Sequence, residues 1–337
     1  MGQHFVLDAV VVVAATAAIW KGSEWLEGAS ETLSRYYGLP VVVQGAIVAA
    51  IGSSVPELAS VVFSALAGSL ALGVGAIVGS AIFNVLVIPA LADIATSSPL
   101  ESSRTLVYKE AQFYMLAVST SLITFALATI YHPTGNGLVG VVTRPLALIP
   151  LGLYVLYVFL QYVDTADHDA DPERADVDPR RQWAWLLVGL LVIVVAVERL
   201  VGVLEPLGTT FDLPQFLLGV IVLAGATSLP DAFVSVRAAR DERGVASLAN
   251  VLGSNTFDLL VTIPAGILLV GSQPIDFAMA APMFGVLTAA TVVLFTVLRT
   301  DLELTDGESY ALLVTYGLFV AWIGLETVGV VDVLPNA

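Results

Sequence analysis

No cysteine occurs among the 337 residues, so neither a disulfide nor a thiolate metal centre is available to this chain. Charge is scarce as well: Asp, Glu, Lys and Arg make up 12% of the sequence, against 57% apolar residues. That balance excludes a pair of soluble domains and points to a polytopic membrane protein. Lysine is reduced to Lys21 and Lys109 and the net charge is −16, a composition that suits a high-salt habitat and offers no basic surface to nucleic acid. The three histidines, His4, His132 and His168, fall near span ends or between spans. Without sulfur or a mid-span imidazole, zinc and copper lack their usual ligands. No His-Glu-x-x-His motif appears and no serine–histidine pair shares membrane depth, which argues against an intramembrane hydrolase.

A helix needs roughly 20 mostly apolar residues to cross a bilayer. Ten windows meet this, at 5–26, 40–67, 73–93, 108–131, 143–163, 182–204, 213–238, 245–270, 275–298 and 309–330. They are continuous apolar runs without two-residue alternation, so a β-barrel is excluded. Ala15-Thr-Ala17 has the look of a signal-peptide cleavage site, but no Lys or Arg precedes Lys21, and the first window is read as a retained helix.

The chain repeats itself. Gly52-Ser-Ser-Val-Pro-Glu57 returns 174 residues later as Ala226-Thr-Ser-Leu-Pro-Asp231. The same offset carries Ile77-Val-Gly-Ser-Ala-Ile-Phe-Asn84 onto Val251-Leu-Gly-Ser-Asn-Thr-Phe-Asp258. It extends back to Leu39-Pro40 on Leu213-Pro214, and to Glu24, Leu26 and Gly28 on Glu198, Leu200 and Gly202. Five spans per half is an odd number, so the halves must insert in opposite orientations. The expected fold is therefore all-α: ten transmembrane helices forming two inverted five-helix repeats. These are residues 1–163 (motif 50–91) and 182–337 (motif 224–265), joined by a linker at 164–181.

Eleven of the thirteen basic residues lie in the loops after odd-numbered spans; Arg144 and Arg199 are the exceptions. The positive-inside rule then places those loops and the linker in the cytoplasm and both termini outside, in the cell membrane. The linker holds seven acids from Asp164 to Asp178. Carboxylates in that number suit a calcium sensor, but the composition reads first as a solvated, disordered segment.

Glu57 and Asp231 each sit mid-span, with no Lys or Arg at comparable depth. An ionised carboxylate there is costly unless a cation or a proton compensates it. A single such acid is readily explained as a protonated, hydrogen-bonded structural group; a matched pair at equal repeat positions is not. Pro56 and Pro230 lack an N–H, which frees the carbonyls of Gly52 and Ala226. Ser53 and Ser54 precede Glu57 by four and three residues on its helix face, and Thr227 and Ser228 repeat this before Asp231. Ser80 with Asn84, and Ser254 with Asp258, add further oxygens at i,i+4. Gly75, Gly79 and Gly253 permit close helix packing. This hard-oxygen inventory suits Ca²⁺ and the similarly sized Na⁺.

These paired motifs resemble the two α-repeats of the cation/calcium exchanger superfamily, and within it the sodium/calcium exchangers. The resemblance implies ten helices, alternating access and a single central cluster. It implies Ca²⁺ binding by Glu57 and Asp231 with the main-chain carbonyls of Ser53 and Thr227. It further implies flanking Na⁺ sites from Ser54, Ser80, Ser228 and Ser254 with the carbonyls of Ala50 and Ala224, and places Asn84 and Asp258 at the centre. Asp231, where many microbial members carry glutamate, resembles the potassium-dependent branch, and being one methylene shorter it widens the cage toward K⁺. Ala226 replaces the motif's usual glycine and is expected to stiffen the break in the seventh span. The activity so implied is antiport of Na⁺ against Ca²⁺, not an enzymatic reaction. It needs inorganic cations and the lipid bilayer, and neither a resident cofactor nor an obligate protein partner. The nearest alternative is a Ca²⁺/H⁺ antiporter, whose relatives carry Gly-Asn where this chain has Gly79-Ser80 and Gly253-Ser254. A channel would use similar oxygens, but a deep carboxylate pair favours tight binding over conduction.

Overall fold

The computed structural model describes residues 2–38, 50–96, 99–104, 106–135, 137–165, 177–211, 213–327, 329–331 and 333–334. Leu39-Pro40, the first third of the second expected span and linker positions 166–176 lie outside the described residues. The first half contains α1 (Gly2–Tyr36), α2 (Ala50–Ser53), α3 (Val55–Leu66), α4 (Leu70–Leu86), α5 (Ile88–Ile94), α6 (Ala111–Tyr131) and α7 (Arg144–Thr165). The second contains α8 (Pro179–Phe211), α9 (Gln215–Leu218), α10 (Ala224–Arg240), α11 (Gly244–Phe257), α12 (Ile263–Val270), α13 (Phe277–Arg299) and α14 (Asp306–Thr327). Among the described residues nine helical runs are long and apolar enough to cross a membrane, and Val55–Leu66 is a shorter apolar helix.

The fold is that of an all-α polytopic membrane protein with inverted repeats. Its centre is α4–α5, whose span is 89% buried, together with α10 and α11–α12. The α7 span, only 17% buried, shows why an outer helix stays apolar: Val155 and Phe159 point outward, where hydrocarbon takes the place of a protein core. Gly75 and Gly79 let α4 meet the α9 region backbone to backbone. A Cβ on either would stand 2.1 Å from the carbonyl oxygen of Phe216 or Val220 respectively. For Gly253 nothing among the described residues lies within 4 Å, and the contact expected of it is not seen. The long helices α1 and α8 lie against each other through Ile19, Leu26, Ile193, Val197 and Leu200.

The helix breaks are not where the prolines alone suggest. In the first repeat the second span breaks at Ser54, directly before Val55-Pro56, and Pro56 occupies the first turn of α3, where a missing N–H costs nothing. In the second repeat α10 runs unbroken through Pro230. Its irregularity is a π-helical turn at Gly219–Leu223, upstream of the expected break. Ala226 lies inside regular α10, whereas its counterpart Gly52 lies in α2, two residues before the break at Ser54.

Besides a π-helical turn at Leu106–Glu110 before α6, another, Asp258–Thr262, separates α11 from α12. It coincides with a one-residue difference in spacing between the repeats. Asn84 is followed by a proline five positions on, at Pro89, whereas Asp258 is followed by one six positions on, at Pro264. A helix absorbs one extra residue as a π bulge. The first repeat instead turns at Val87 and restarts as α5.

Two short antiparallel ribbons tie the loops. β1 (Leu100–Glu101) pairs with β4 (Glu303–Leu304), and β2 (Val139–Val142) pairs with β3 (Gln273–Asp276). The first ribbon joins the loops after the third and ninth spans, the second those after the fourth and eighth. Each pair must share a membrane face, as the alternating topology requires. Buried Asp93, at the end of α5, fastens the first ribbon: it accepts from the Leu100 N–H at 2.9 Å and from Ser309 Oγ at 2.6 Å.

Candidate functional site

The helices that carry Glu57 and Asp231, α3 and α10, touch each other; α4 packs on both, and α11 packs on α10 and α2. Their polar residues are thereby removed from lipid and from water. Ser53, Ser54, Glu57, Ser80, Asn84, Thr227, Ser228, Asp231, Ser254 and Asp258 are all buried. Ala224, whose carbonyl was expected to serve a Na⁺ site, is buried at the start of α10, and Ala50 opens α2.

The contacts run both across and within the repeats. Asn84 Nδ2 donates to Asp231 Oδ2 at 3.1 Å and to Asn255 Oδ1 at 2.9 Å. Ser254 Oγ donates to the same Asp231 oxygen at 3.2 Å, and Ser228 Oγ donates to Ser80 Oγ at 2.8 Å. Thr227 of the second repeat stands beside Glu57 of the first, and Ser53 of the first beside Asp231 of the second. Ser54 and Thr262 flank Asp258, with the Thr262 hydroxyl donating to Asp258 Oδ1 at 3.2 Å across the π turn. Thr227 Oγ1 also donates back to the Leu223 carbonyl at 3.2 Å.

What these residues leave unmade is more informative. Ser54 Oγ, both carboxylate oxygens of Glu57, Asn84 Oδ1, Asp231 Oδ1 and Asp258 Oδ2 are buried without a hydrogen-bond partner. Each such orphan costs about 1–3 kcal/mol, more when charged. Asp93, equally buried, has donors on both of its oxygens. These unpaired oxygens all belong to residues of the duplicated motifs, while Asp93, a buried acid outside them, is fully satisfied. Among the described residues, no three acids or imidazoles are drawn together as a chelating cluster. Here hydroxyl and amide oxygens stand between the acids.

Three members of this network escaped the sequence reading: Thr262, Asn255 and Tyr114. Asn255 donates to the Ala81 carbonyl at 3.3 Å and to Tyr114 Oη at 3.2 Å, so it bridges α11, α4 and α6. It was visible in principle: a polar residue beside Ser254 where the first repeat has Ala81. Tyr114, fully buried, carries no such signal, because nothing around it in the sequence repeats.

The sequence profile of the sodium/calcium exchanger protein family matches residues 7–163 and 181–325. The chain belongs to that family. Its match covers both helical halves and breaks only around the acidic linker. The membrane protein MJ0091 of Methanocaldococcus jannaschii is 28% identical over 255 residues, covering 75% of this chain and 78% of its own. The solved structure of the sodium-calcium exchanger NCX_Mj superposes with a TM-score of 0.64 at 21% identity, over 94% of this chain and 98% of its own. The H⁺/Ca²⁺ exchanger CAX superposes with a TM-score of 0.72 at 17% identity, over 93% of this chain and 82% of its own. This family member thus has a fold common to exchangers driven by different ions, and the fold alone does not choose between them.

Proposed function

We propose that the chain is a secondary active antiporter that moves Ca²⁺ against Na⁺ across the cell membrane. The observation that carries this is the set of six buried, unpartnered oxygens, all from the duplicated motifs and supplied by both repeats. Three of them belong to Glu57 and Asp231, whose two charges neutralise Ca²⁺, a cation that takes hard oxygen ligands. In this reading the main-chain carbonyls of Ser53 and Thr227 complete the Ca²⁺ shell. Ser54, Ser80, Ser228 and Ser254, with the carbonyls of Ala50 and Ala224, hold Na⁺ on either side. Asn84 and Asp258 occupy the centre.

The cross-repeat contacts support alternating access. Each acid is flanked by a hydroxyl of the opposite repeat, so a shift of one half against the other changes both carboxylate environments together. Tight binding is compatible with turnover because Na⁺ arrives at the same oxygens as Ca²⁺ leaves. Extrusion of Ca²⁺ follows from an inward Na⁺ gradient, with both termini outside and the acidic linker in the cytoplasm. K⁺ belongs to this scheme through Asp231, whose shorter side chain leaves a wider cage, and through the negative charge of Asp258.

The test is Ca²⁺ flux in proteoliposomes with Na⁺, K⁺ and H⁺ gradients imposed one at a time. Na⁺-driven uptake supports the proposal, and stimulation by K⁺ extends it. Flux driven by a proton gradient alone replaces it with Ca²⁺/H⁺ antiport.

A further inference from the structure

The first helix carries a buried polar pair that the central cluster does not use. Ser23 and Glu27 stand one turn apart on one face of α1. Ser23 is fully buried, and neither Ser23 Oγ nor Glu27 Oε1 has a hydrogen-bond partner. Helix α1 packs on α2 and α10, and Glu27 lies over the helix break. A Cβ built on Gly52 would stand 3.8 Å from Glu27 Cγ. Asp231 and Glu31 are the acids close enough to act on it. Neighbouring basic residues of α1 are taken: Lys21 pairs with Glu24 at 2.7 Å and Arg35 with Glu31 at 3.3 Å.

Packing does not explain the pair. The corresponding positions of the second repeat are Val197 and Val201, both buried in the apolar seam of α8. Two valines satisfy the fold there; on α1 a hydroxyl and a carboxylate replace them and are left without partners. A carboxylate with one oxygen buried and unpartnered beside a second acid, and with no basic residue on it, requires positive charge from elsewhere.

We propose that Ser23 and Glu27 form an antechamber site for a monovalent cation, Na⁺ in the first instance, on the Asp231 side of the central cluster. The three side-chain oxygens of Ser23 and Glu27 fall well short of the six to eight that Ca²⁺ takes, but suffice for a partly hydrated monovalent ion. Half-buried Glu27 leaves room for the water that completes its shell. The site raises the number of carboxylates served by the transport pathway to four. It gives the second repeat an approach for Na⁺ that the first repeat lacks. This inference rests on the antiporter reading for its role but not for its existence.

The full-length protein is reconstituted as parent, Glu27→Gln, Glu27→Asp and Ser23→Ala. In Glu27→Gln the Na⁺ concentration for half-maximal Ca²⁺ flux should rise about fivefold, the size of one partly screened charge pair. The Ca²⁺ half-saturation should shift less, and Glu27→Asp should restore most of the Na⁺ dependence. Ser23→Ala should move the Na⁺ value in the same direction by a smaller factor. An unchanged Na⁺ dependence in Glu27→Gln overturns the site, as does an equal loss of Na⁺ and Ca²⁺ affinity that Glu27→Asp does not rescue. Thermal unfolding in detergent with NaCl against choline chloride decides the matter without transport. Na⁺ should stabilise the parent more than Glu27→Gln, and equal stabilisation, or none in either, overturns the site. Should the parent show no Na⁺-coupled flux while Na⁺ still stabilises it through Glu27, the antiporter reading falls and the site stands.

Discussion

Glu57 and Asp231 occupy equal places in the two repeats, but their oxygens keep different company. Asp231 receives hydrogen bonds from Asn84 and Ser254 on one oxygen, while neither oxygen of Glu57 has a partner. Glu57 is therefore the more exposed to loss of its cation. Glu57→Gln and Asp231→Asn should each weaken Ca²⁺ binding about a hundredfold or more, equivalent to roughly 3 kcal/mol, and abolish flux. Isothermal titration and proteoliposome uptake measure this, with size-exclusion profiles confirming that both variants fold. Near-normal flux in either removes these acids from the transport site. Asp258 has no acidic counterpart, since the first repeat carries Asn84. Once Ca²⁺ is neutralised by Glu57 and Asp231, Asp258 is surplus charge that K⁺ or a proton must balance. Asp258→Asn should then weaken K⁺ stimulation and flatten the fall of flux with external acidification together. A variant with the parent's profile in both would assign Asp258 a structural part. The acids were legible because they break long apolar runs at a fixed offset. Glu27 was not: it sits beside Glu24 at the edge of the first window, and its repeat counterpart is apolar. Only the continuation of α1 to Tyr36 places it inside a helix and against the centre.

At the level of the elements, the repeats are alike in sequence but deformed differently. The first opens at Ser54, turns at Val87 and has a π turn at Leu106–Glu110, while the second bulges at Gly219–Leu223 and at Asp258–Thr262. The order of the spans could be read from apolar run length, since length is what a bilayer imposes. The position of the breaks could not, because a proline can begin a new helix, as Pro56 does, or be tolerated inside one, as Pro230 is. The bulge at Asp258 was marked only by the spacing to the next proline, a difference of one residue. That difference is testable. Deleting Leu260 should restore an α-helical ladder and rotate Asp258 by about 100° relative to α12, the angular step of one helical residue. The variant should assemble in the membrane but lose Ca²⁺ flux. Retention of flux would mean that the bulge does not position Asp258. The ribbons β1–β4 and β2–β3 were invisible in the sequence for a related reason. Strands of two to four residues, held by loop proximity, leave no alternating pattern to detect.

For the molecule as a whole, the two ribbons constrain topology independently of the basic residues. β1–β4 requires the loops after the third and ninth spans to share a face, and β2–β3 requires the same of the loops after the fourth and eighth. Which face is cytoplasmic rests on the distribution of Arg and Lys, eleven against two. The lack of cysteine that closed off disulfide and thiolate chemistry makes this question directly accessible, because any introduced thiol is the only one in the chain. Thr134, in the loop after the fourth span, and Glu303, on β4, are both exposed. A thiol at either position is not expected to disturb the central cluster. In right-side-out vesicles Thr134→Cys should react with a membrane-impermeant maleimide, and Glu303→Cys should react only after permeabilisation. The reverse pattern would invert the orientation and place the acidic linker outside. Labelling of both from one side would contradict the parity of the spans, and with it the opposite insertion of the two repeats.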